Sequence, residues 1–309
     1  MRVLATGTTG QLVTSLIEVA ARSRDIELIT IGRPEFDLTR PIPMREAIIA
    51  ARPDIVISAA AYTAVDRAED EPALAHAVNV AGAACVAEAA TRLGVSVIHL
   101  STDYVFSGDD RTPRREDDET RPRTVYGATK VEGEKAVASI TARHIILRTS
   151  WVYSPFGTNF VKTMLQLAAS RERLSVVSDQ YGNPTSALDL AAAVLLIATH
   201  PRQDCFGTYH LTGTGESNWS GFARHVFAAS RLNGGPSAIV EDIAAADFPT
   251  KARRPRDSRL CTDKFQTIFG WRLAAWEPST ETVVARILAS GRAIAEATDV
   301  HGTARKLRG

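Results

Sequence analysis

The chain has 309 residues, of which 45% are hydrophobic and 23% are charged. This composition is typical of an ordinary globular protein and excludes disordered, collagen-like and coiled-coil architectures. The 36 Lys and Arg against 35 Asp and Glu leave a formal net charge of +1, so overall charge gives no indication of nucleic acid or an acidic membrane as a partner.

Short β-rich runs alternate with longer segments of helical periodicity in the first half of the chain. This order produces a parallel sheet covered by helices on both faces, so we predict an α/β fold with a doubly wound parallel sheet. The predicted strands are Arg2–Ala5, Glu27–Ile31, Ile55–Ala59, Val95–Ser101 and Arg143–Arg148. The predicted helices begin near Gln11, Met44, Pro72, Val125 and Gly157.

The same pattern continues past residue 150, with Leu174–Ser178 predicted as a sixth strand and Ala187–Ala198 as one more sheet-covering helix. We therefore expect a dinucleotide-binding domain over residues 1–200, with part of 150–185 contributing to the cleft. The segment 201–297 is expected to form a smaller substrate-binding lobe, and 298–309 a flexible tail.

The expected smaller lobe has a looser pattern. It contains a short strand at Tyr209–Leu211, a helix near Trp219–Leu232 and a final helix near Pro278–Ala297. In the first half, the very polar stretch Gly108–Pro122 predicts a solvated loop beside the cleft.

Cysteine and histidine patterns bear on metals and on the compartment. Cys85, Cys205 and Cys261 are scattered and odd in number, which predicts neither a disulfide framework nor a zinc site. The histidines show no ligand spacing, so we expect no metal at the site. The start of the chain lacks the features of a signal peptide and no membrane span is evident, so we expect a cytoplasmic protein.

A glycine-rich turn follows the first predicted strand, in the run Gly7-Thr8-Thr9-Gly10-Gln11-Leu12. A turn of this kind lets backbone N–H groups and the N-terminus of the next helix approach a pyrophosphate, although an ordinary tight turn is the alternative. Val13 stands where a third glycine would allow the closest packing of helix and strand. The context predicts a Rossmann-type domain.

The end of the second strand bears on the choice between two nicotinamide cofactors. An acidic side chain here would bind the ribose hydroxyls of NAD, whereas an arginine accommodates the 2′-phosphate of NADP. The chain reads Ile31-Gly32-Arg33 with no carboxylate at the strand end. We therefore predict NADPH, with NADH as the alternative, unless Arg33 is only a solvated residue.

Tyr126 and Lys130 have the most informative spacing in the chain. Residues four apart share one face of a helix, so the phenol and the ammonium can enter the same cleft. A nearby ammonium would lower the phenol pKa toward the range useful for proton transfer. Asn79 is a polar residue in an apolar helix, and it either supports a proton relay through Lys130 or makes a structural hydrogen bond.

These motifs resemble the extended short-chain dehydrogenase/reductase superfamily and, within it, the dTDP-4-dehydrorhamnose reductases. The similarity spans about residues 1–290 and runs through GTTGQL, AAAYTAVDRAE, STDYVFSG, YGATKVEGE, RTSWVY, GTNFVKTM, SDQYGNPT, YHLTG and RRPRDSRL. It implies a Rossmann-type fold with a smaller C-terminal substrate-binding lobe. It also implies NAD(P)H-dependent reduction of the C4 ketone of dTDP-4-dehydro-L-rhamnose.

The resemblance also implies roles for individual residues. The cofactor would be lined, from pyrophosphate to adenine and along the sheet edge, by Gly10, Gln11, Leu12, Asp37, Leu38, Ala61, Tyr62 and Thr63. Tyr126 would donate the proton, Lys130 would assist it and bind the nicotinamide ribose, and Thr102 would bind both substrate and Tyr126.

Further implied positions concern the substrate and assembly. Thr102, Asp103 and Trp151 match sugar-contacting positions, although Trp151 could instead be a core aromatic. Some relatives dimerise through Mg²⁺ held by glutamates, and Ser15 stands at one such position, so we expect a monomer or a homodimer without a metal. The substrate diphosphate needs a cationic partner, and Arg254, with its neighbours Arg253 and Arg256, is the candidate unless these residues form a solvated face.

Two other classes of function compete with reduction. Another nucleotide-sugar 4-ketoreductase, a dehydratase or an epimerase of the same superfamily would share the fold. Dehydratases carry Thr-Asp-Glu where this chain has Thr102-Asp103-Tyr104. A non-catalytic regulatory subunit of methionine adenosyltransferase also resembles these reductases, and the presence of Tyr126, Lys130 and Thr102 argues against it.

Overall fold

The computed structural model describes residues 1–34, 36–199 and 205–290. Its first half alternates strands and helices as predicted. The strands are β1 (Arg2–Thr6), β2 (Glu27–Ile31), β3 (Ile55–Ser58), β4 (Ser96–Thr102) and β5 (His144–Thr149). The helices are α1 (Gln11–Ala20), α2 (Pro41–Ala51), α3 (Val65–Ala68), α4 (Pro72–His76), α5 (Ala83–Leu93) and α6 (Val125–Ile140).

The second half has shorter strands. They are β6 (Val152–Tyr153), β7 (Arg173–Val177), β8 (Tyr181–Gly182), β9 (Thr185–Ser186), β10 (Gly207–His210), β11 (Ser217–Asn218) and β12 (Ile239–Ile243). The helices are α7 (Phe160–Ala168), α8 (Ala187–Thr199), α9 (Trp219–Leu232), α10 (Asp263–Phe269) and a further helix over 276–290. The remainder of the predicted final helix and the predicted tail lie outside the described residues.

The central sheet has six parallel strands in the order β10-β5-β4-β3-β1-β2. β2 lies on one side of β1, and β3, β4, β5 and β10 follow on the other side. This is the doubly wound arrangement, so the predicted fold class is confirmed. Every residue of β3 and β4 is buried, as expected for strands covered by helices on both faces.

The prediction that Leu174–Ser178 supplies the sixth strand of this sheet is wrong. That segment forms β7, which pairs with β12 in a separate two-stranded sheet, and the sixth position is taken by β10 beside β5. Both runs are short, and the sequence pattern cannot show which sheet a strand joins because pairing depends on tertiary contacts.

Two of the apolar cores interleave along the chain. One lies on the sheet with α1 and α8 and includes Phe265 and Leu273 from the C-terminal part. The other joins α7, β7 and α9 to Trp276. Because 151–177 belongs to the second core whereas 205–211 returns to the first, a single division at residue 200 does not separate the cores.

Residues 72–93 form one long helical segment that contains a π-helical stretch, Ala77–Gly82. Within the described residues it is the one helix long and apolar enough to match a membrane span, and half of the apolar window is buried inside the fold. That burial is typical of a core helix.

The predicted helix start near Gly157 moves to Phe160, where the Asn159 side chain accepts a hydrogen bond from Lys162 N.

Candidate active site

The glycine-rich turn lies at the carboxyl end of β1. Gly7 has φ +104°, a conformation that glycine adopts without steric cost, and its N–H donates to Ile31 O at 2.6 Å. A Cβ at Gly32 would lie 3.1 Å from Gly7 Cα, so the ends of β1 and β2 touch backbone to backbone.

The N-terminus of α1 continues this turn. No described side chain caps α1 at Gly10, and a Cβ on Gly10 would meet nothing within 4 Å. The first N–H groups of the helix therefore face open space, where they can bind an anion. This arrangement fits the pyrophosphate of a dinucleotide cofactor.

Gln11, the first residue of α1, contacts the second half of the chain. Its Nε2 donates to Val152 O at 3.3 Å, and its Oε1 accepts from Ser154 Oγ and from Asn159 Nδ2, both at 2.9 Å. The next residue, Leu12, packs partly buried against the first core. Sequence reasoning singled out Gln11 and missed its two polar partners, which lie more than 140 residues away.

The segment after β2 carries two arginines beside a carboxylate. Arg33 is exposed. The pKa of Asp37 lies below its usual value because Thr39 N–H donates to it, with smaller contributions from the charges of Arg33 and Arg40. Arg40 was not singled out from the sequence, although it follows Arg33 closely. Two cations near this strand end suit a phosphate.

Leu38 is buried and packs against the π-helical stretch, because a Cβ on Gly82 would lie 2.8 Å from Leu38 Cβ. Its side chain therefore fills the space between the segment after β2 and the π-helical stretch.

Asn79 fixes the loop Ala61–Thr63 that follows β3. Its Oδ1 accepts from Tyr62 N at 2.8 Å, while its Nδ2 donates to Tyr62 O at 3.2 Å and to Thr129 Oγ1 at 3.0 Å. The sequence left two roles open for Asn79, and the structure shows the structural hydrogen bonds. Asn79 lies in the π-helical stretch, and such stretches are often found near functional sites.

Thr102 and Tyr126 meet where β4 ends and α6 begins. Thr124 Oγ1 accepts from Gly127 N at 3.0 Å and so starts α6. A Cβ on Gly127 would overlap Tyr104 O, so only glycine lets the helix approach this close. Tyr126, buried on the first turn, forms a side-chain hydrogen bond with Thr102.

The prediction that Lys130 lowers the pKa of Tyr126 is wrong for this state of the protein. Burial raises the Tyr126 pKa, and the Thr102 hydrogen bond opposes it only in part. The ring packs among Tyr62, Val65 and Tyr104, which keeps water away from the phenol. A high pKa keeps the proton on the hydroxyl, as a proton donor requires.

Lys130 lies one helical turn beyond Tyr126 and is buried. Its Nζ donates to Leu100 O at 2.6 Å and lies 3.4 Å from His99 Nε2. Burial lowers the Lys130 pKa to about 8, and the charge of Glu134 acts in the opposite direction. The ammonium therefore loses its proton at mildly alkaline pH.

Glu134 continues this face of α6 with a buried ion pair that sequence reasoning missed. Its carboxylate binds Arg148 in a two-pronged arrangement, with Nη2 to Oε2 at 2.7 Å and Nε to Oε1 at 3.0 Å. Ser101 Oγ donates to the same carboxylate at 2.5 Å. The sequence feature that could have indicated Glu134 is the recurrence of polar residues four apart along α6, at Tyr126, Lys130 and Glu134.

Asp103 extends the hydrogen-bonded row that starts at Tyr126. Thr102 Oγ1 donates to Asp103 Oδ1 at 2.9 Å. Burial raises the Asp103 pKa to about 6, and its Oδ2 is buried without a hydrogen-bond partner among the described residues. A buried acceptor without a partner is costly, which makes this atom a candidate for contact with a ligand hydroxyl.

Trp151 lies just beyond β5, where its indole stacks on Trp219 with ring centroids 3.5 Å apart and planes 6° from parallel. One face of the indole is therefore covered, and Trp151 as a whole is half-buried. The sequence pattern predicts Trp219 only as the first residue of a helix.

Arg254 reaches the same region from the C-terminal part of the chain. Its Nη2 lies 2.5 Å from Asp66 Oδ2 and its Nη1 donates to Tyr104 OH at 3.3 Å. The Tyr104 ring in turn lies edge-on to Tyr126, with centroids 5.7 Å apart. Arg254 is thus close to the predicted donor, whereas its neighbours Arg253 and Arg256 are exposed.

Metal-binding groups are a separate question. The described part of the chain contains no cluster of three or more His, Cys, Asp or Glu side chains able to hold a metal ion. Ser15 is buried, and its Oγ donates to Gln11 O at 2.8 Å.

Comparison with known proteins gives a consistent picture. The family model described as the RmlD substrate binding domain matches residues 1–289. The dTDP-4-dehydrorhamnose reductase of Sinorhizobium fredii is 50% identical over 296 residues, covering 94% of this chain and 99% of the relative. The enzyme of that name from Escherichia coli K12 is 41% identical over 284 residues, covering 90% and 95%.

A solved structure agrees with these sequence comparisons. The dTDP-4-dehydrorhamnose reductase of Bacillus anthracis, in complex with NADP, superposes with a TM-score of 0.85 at 34% identity, covering 91% of this chain and 98% of that one.

Proposed function

Because the chain belongs to the dTDP-4-dehydrorhamnose reductase family, we propose that Tyr126, Lys130 and Thr102 carry out its reaction at the carboxyl edge of the sheet. The chain is an NAD(P)H-dependent oxidoreductase that reduces the C4 ketone of dTDP-4-dehydro-L-rhamnose to give dTDP-L-rhamnose. The observation that carries the residue assignment is the buried contact of Tyr126 with Thr102, one helical turn from Lys130.

The cofactor, when bound, supplies a hydride to C4 of the sugar. Tyr126 gives its proton to the oxygen that becomes a hydroxyl, and its raised pKa ensures that the proton is present. Thr102 orients the phenol, and its hydroxyl, which donates to Asp103 Oδ1, would turn to donate to the same oxygen when the sugar binds. The Lys130 ammonium adds positive charge next to this site as negative charge develops.

Several residues would hold the cofactor. The N-terminus of α1 after Gly7 and Gly10 suits the pyrophosphate, and the loop Ala61–Thr63 lines the path toward Tyr126. At the adenine end, Arg33 and Arg40 beside Asp37 favour a cofactor with a 2′-phosphate, so NADPH is proposed as the better substrate and NADH as the weaker.

The nucleotide sugar would bind on the other side of Tyr126. Asp103 Oδ2 suits a sugar hydroxyl, the free part of Trp151 suits the sugar ring, and Arg254 suits the diphosphate. Arg254 would then exchange Asp66 for the phosphates. The protein is proposed to act in the cytoplasm as a monomer or a homodimer, without nucleic acid or membrane as a partner.

The test is a substrate panel. Purified protein is incubated with NADPH and with dTDP- and UDP-linked 4-keto sugars, and NADPH oxidation is followed by absorbance. We expect turnover with dTDP-4-dehydro-L-rhamnose above all others. Turnover of a UDP sugar alone would change the substrate, and no turnover of any sugar would favour a non-catalytic regulatory role. Tightly copurifying cofactor would favour an epimerase.

A further inference from the structure

Trp151 has an unusual backbone conformation. Its φ is +46°, in the left-handed region that a bulky residue rarely adopts. Such conformations persist only where the surrounding structure holds them, and they concentrate at functional sites.

The indole of Trp151 is held between two partners. Trp219 stacks on it at 3.5 Å, and Gly182 lies so close that a Cβ there would be 2.5 Å from Nε1 and 2.8 Å from Cζ2. Neither distance is compatible with a van der Waals contact, so any residue other than glycine at 182 has to displace the ring. Thr185 N also donates to Trp151 O at 3.2 Å.

The two partners are themselves fixed. Gly182 lies in β8, which pairs with β11 on one side, while Tyr181 exchanges backbone hydrogen bonds with Arg256 O and Ser258 N on the other. Trp219 is the first residue of α9, where Asn218 caps the helix by accepting from Gly221 N at 2.7 Å. The ring of Trp151 therefore has two rigid supports from separate elements.

We propose that Gly182 and Trp219 are positioning residues that set the affinity for the sugar part of the substrate through Trp151, without touching the sugar themselves. The inference rests on the proposed contact between Trp151 and the sugar. Gly182 fixes the depth of the indole in the cleft, and Trp219 fixes the tilt of its plane. The nucleotide part of the substrate does not depend on either residue.

The test is a double-mutant cycle with Gly182→Ala and Trp151→Phe. Binding of dTDP-L-rhamnose and of dTDP is measured by calorimetry, and KM values for the sugar substrate and NADPH are measured alongside. We expect Gly182→Ala to weaken dTDP-L-rhamnose about tenfold, as an overpacked contact does, with dTDP and NADPH unchanged. In the Trp151→Phe background the same change should have almost no effect, because phenylalanine lacks the indole atoms that the methyl group meets.

Trp219→Ala provides a second route that creates no steric clash. It should weaken dTDP-L-rhamnose about three- to tenfold, again without changing the affinity for dTDP. Trp271→Phe is the matched control, because Trp271 packs against the first core and not against Trp151, Gly182 or Trp219. It should leave all affinities unchanged.

The outcomes separate the two proposals. If Gly182→Ala lowers affinity by the same factor in both backgrounds, or if it weakens dTDP equally, the positioning role is overturned. If Trp151→Phe itself leaves the affinity for dTDP-L-rhamnose unchanged, the sugar contact of the proposed function fails instead. If Trp151→Phe weakens the sugar but neither Gly182→Ala nor Trp219→Ala does, only the positioning role fails.

Discussion

At the scale of single residues, the site combines a buried phenol, a buried amine and a hydroxyl that links the phenol to a carboxyl group. Burial acts on the two titratable partners in opposite directions, because it favours the neutral form of each. It raises the pKa of Tyr126 and lowers that of Lys130 to about 8. The pair is therefore arranged to keep a proton on the phenol, which suits reduction.

Tyr126→Phe removes the hydroxyl and keeps the ring. Turnover should fall about 10²- to 10⁴-fold, the usual contribution of a positioned general acid, while NADPH still binds. Steady-state kinetics and cofactor titration check both parts. Turnover close to that of the unaltered protein would remove Tyr126 from the role of donor.

The pH dependence of kcat/KM should report Lys130. Its pKa is about 8, so the ammonium is present below that pH and is lost as the pH rises through it. Tyr126 stays protonated over the same range because burial raises its pKa. We expect kcat/KM to fall on the alkaline side with an apparent pKa near 8. A profile that stays flat to pH 10 would contradict the role of the ammonium.

Arg33→Ala tests the cofactor preference. Loss of a charge-assisted contact worth about 1.5–3 kcal/mol, reduced toward about 1 kcal/mol by exposure, should weaken NADPH roughly 5- to 100-fold. NADH, which lacks the 2′-phosphate, should hardly change, and the NADPH effect should shrink at high salt. Calorimetric titration of both cofactors at two salt concentrations measures this. An equal loss for NADH and NADPH would mean that Arg33 supports the loop or stacks on the adenine.

At the scale of elements, α6 carries both Tyr126 and Lys130 and is attached to the sheet through Glu134. The Glu134–Arg148 pair has side-chain exposures of 7% and 6%, so both charges are out of water and depend on each other. The charge of the same carboxylate raises the Lys130 pKa and so partly opposes the lowering by burial. One ion pair thus anchors the helix and influences its reactive end.

Glu134→Gln should destabilise the protein by about 3–5 kcal/mol, because it leaves the buried Arg148 charge without its partner. Urea unfolding measures the change. Glu88→Gln is the matched control, since its ion pair with Arg45 is more exposed, with side-chain exposures of 45% and 25%, and should be worth at most about 1 kcal/mol. Similar costs for the two variants would show that burial does not set the strength of the Glu134 pair. In the folded fraction of the Glu134→Gln protein, the alkaline fall of kcat/KM should move to lower pH, because the Glu134 charge that raises the Lys130 pKa is gone.

At the scale of the whole molecule, segments of the first and second cores alternate along the sequence, so neither core is built from one continuous stretch of chain. The path leaves the central sheet after β5, supplies residues within 153–176 to the second core, returns to form β10 beside β5, and leaves again for α9. Phe265 and Leu273 then come back to the first core. The expected division into a dinucleotide-binding domain over 1–200 and a smaller substrate-binding lobe over 201–297 remains a prediction.

Interleaving of this kind should couple the two cores during unfolding. We expect one transition in urea, with coincident midpoints for far-UV circular dichroism and for tryptophan fluorescence. Two single-tryptophan reporters, at Trp219 in the second core and at Trp271 in the first, make the comparison sharper. Separate midpoints for the two reporters would show that the lobes unfold independently.

The sequence alone determined the α/β class, most element positions and the spacing of Tyr126 and Lys130. These follow from local rules: hydrophobic periodicity, glycine in a tight turn and the helical repeat. The sequence also predicted α9 over Trp219–Leu232 with the bounds that the structure has. What lies within about a helical turn or a strand can be read in this way because its interactions are local.

The tertiary structure alone decided which strand completes the sheet, that Trp151 lies against Trp219 and Gly182, and that Arg254 pairs with Asp66. It also reversed the expected direction of the Tyr126 pKa shift. Each of these depends on groups far apart in sequence, or on the depth of burial that their packing creates. Neither distance nor burial is encoded in the spacing of neighbouring residues, so only the folded chain fixes them.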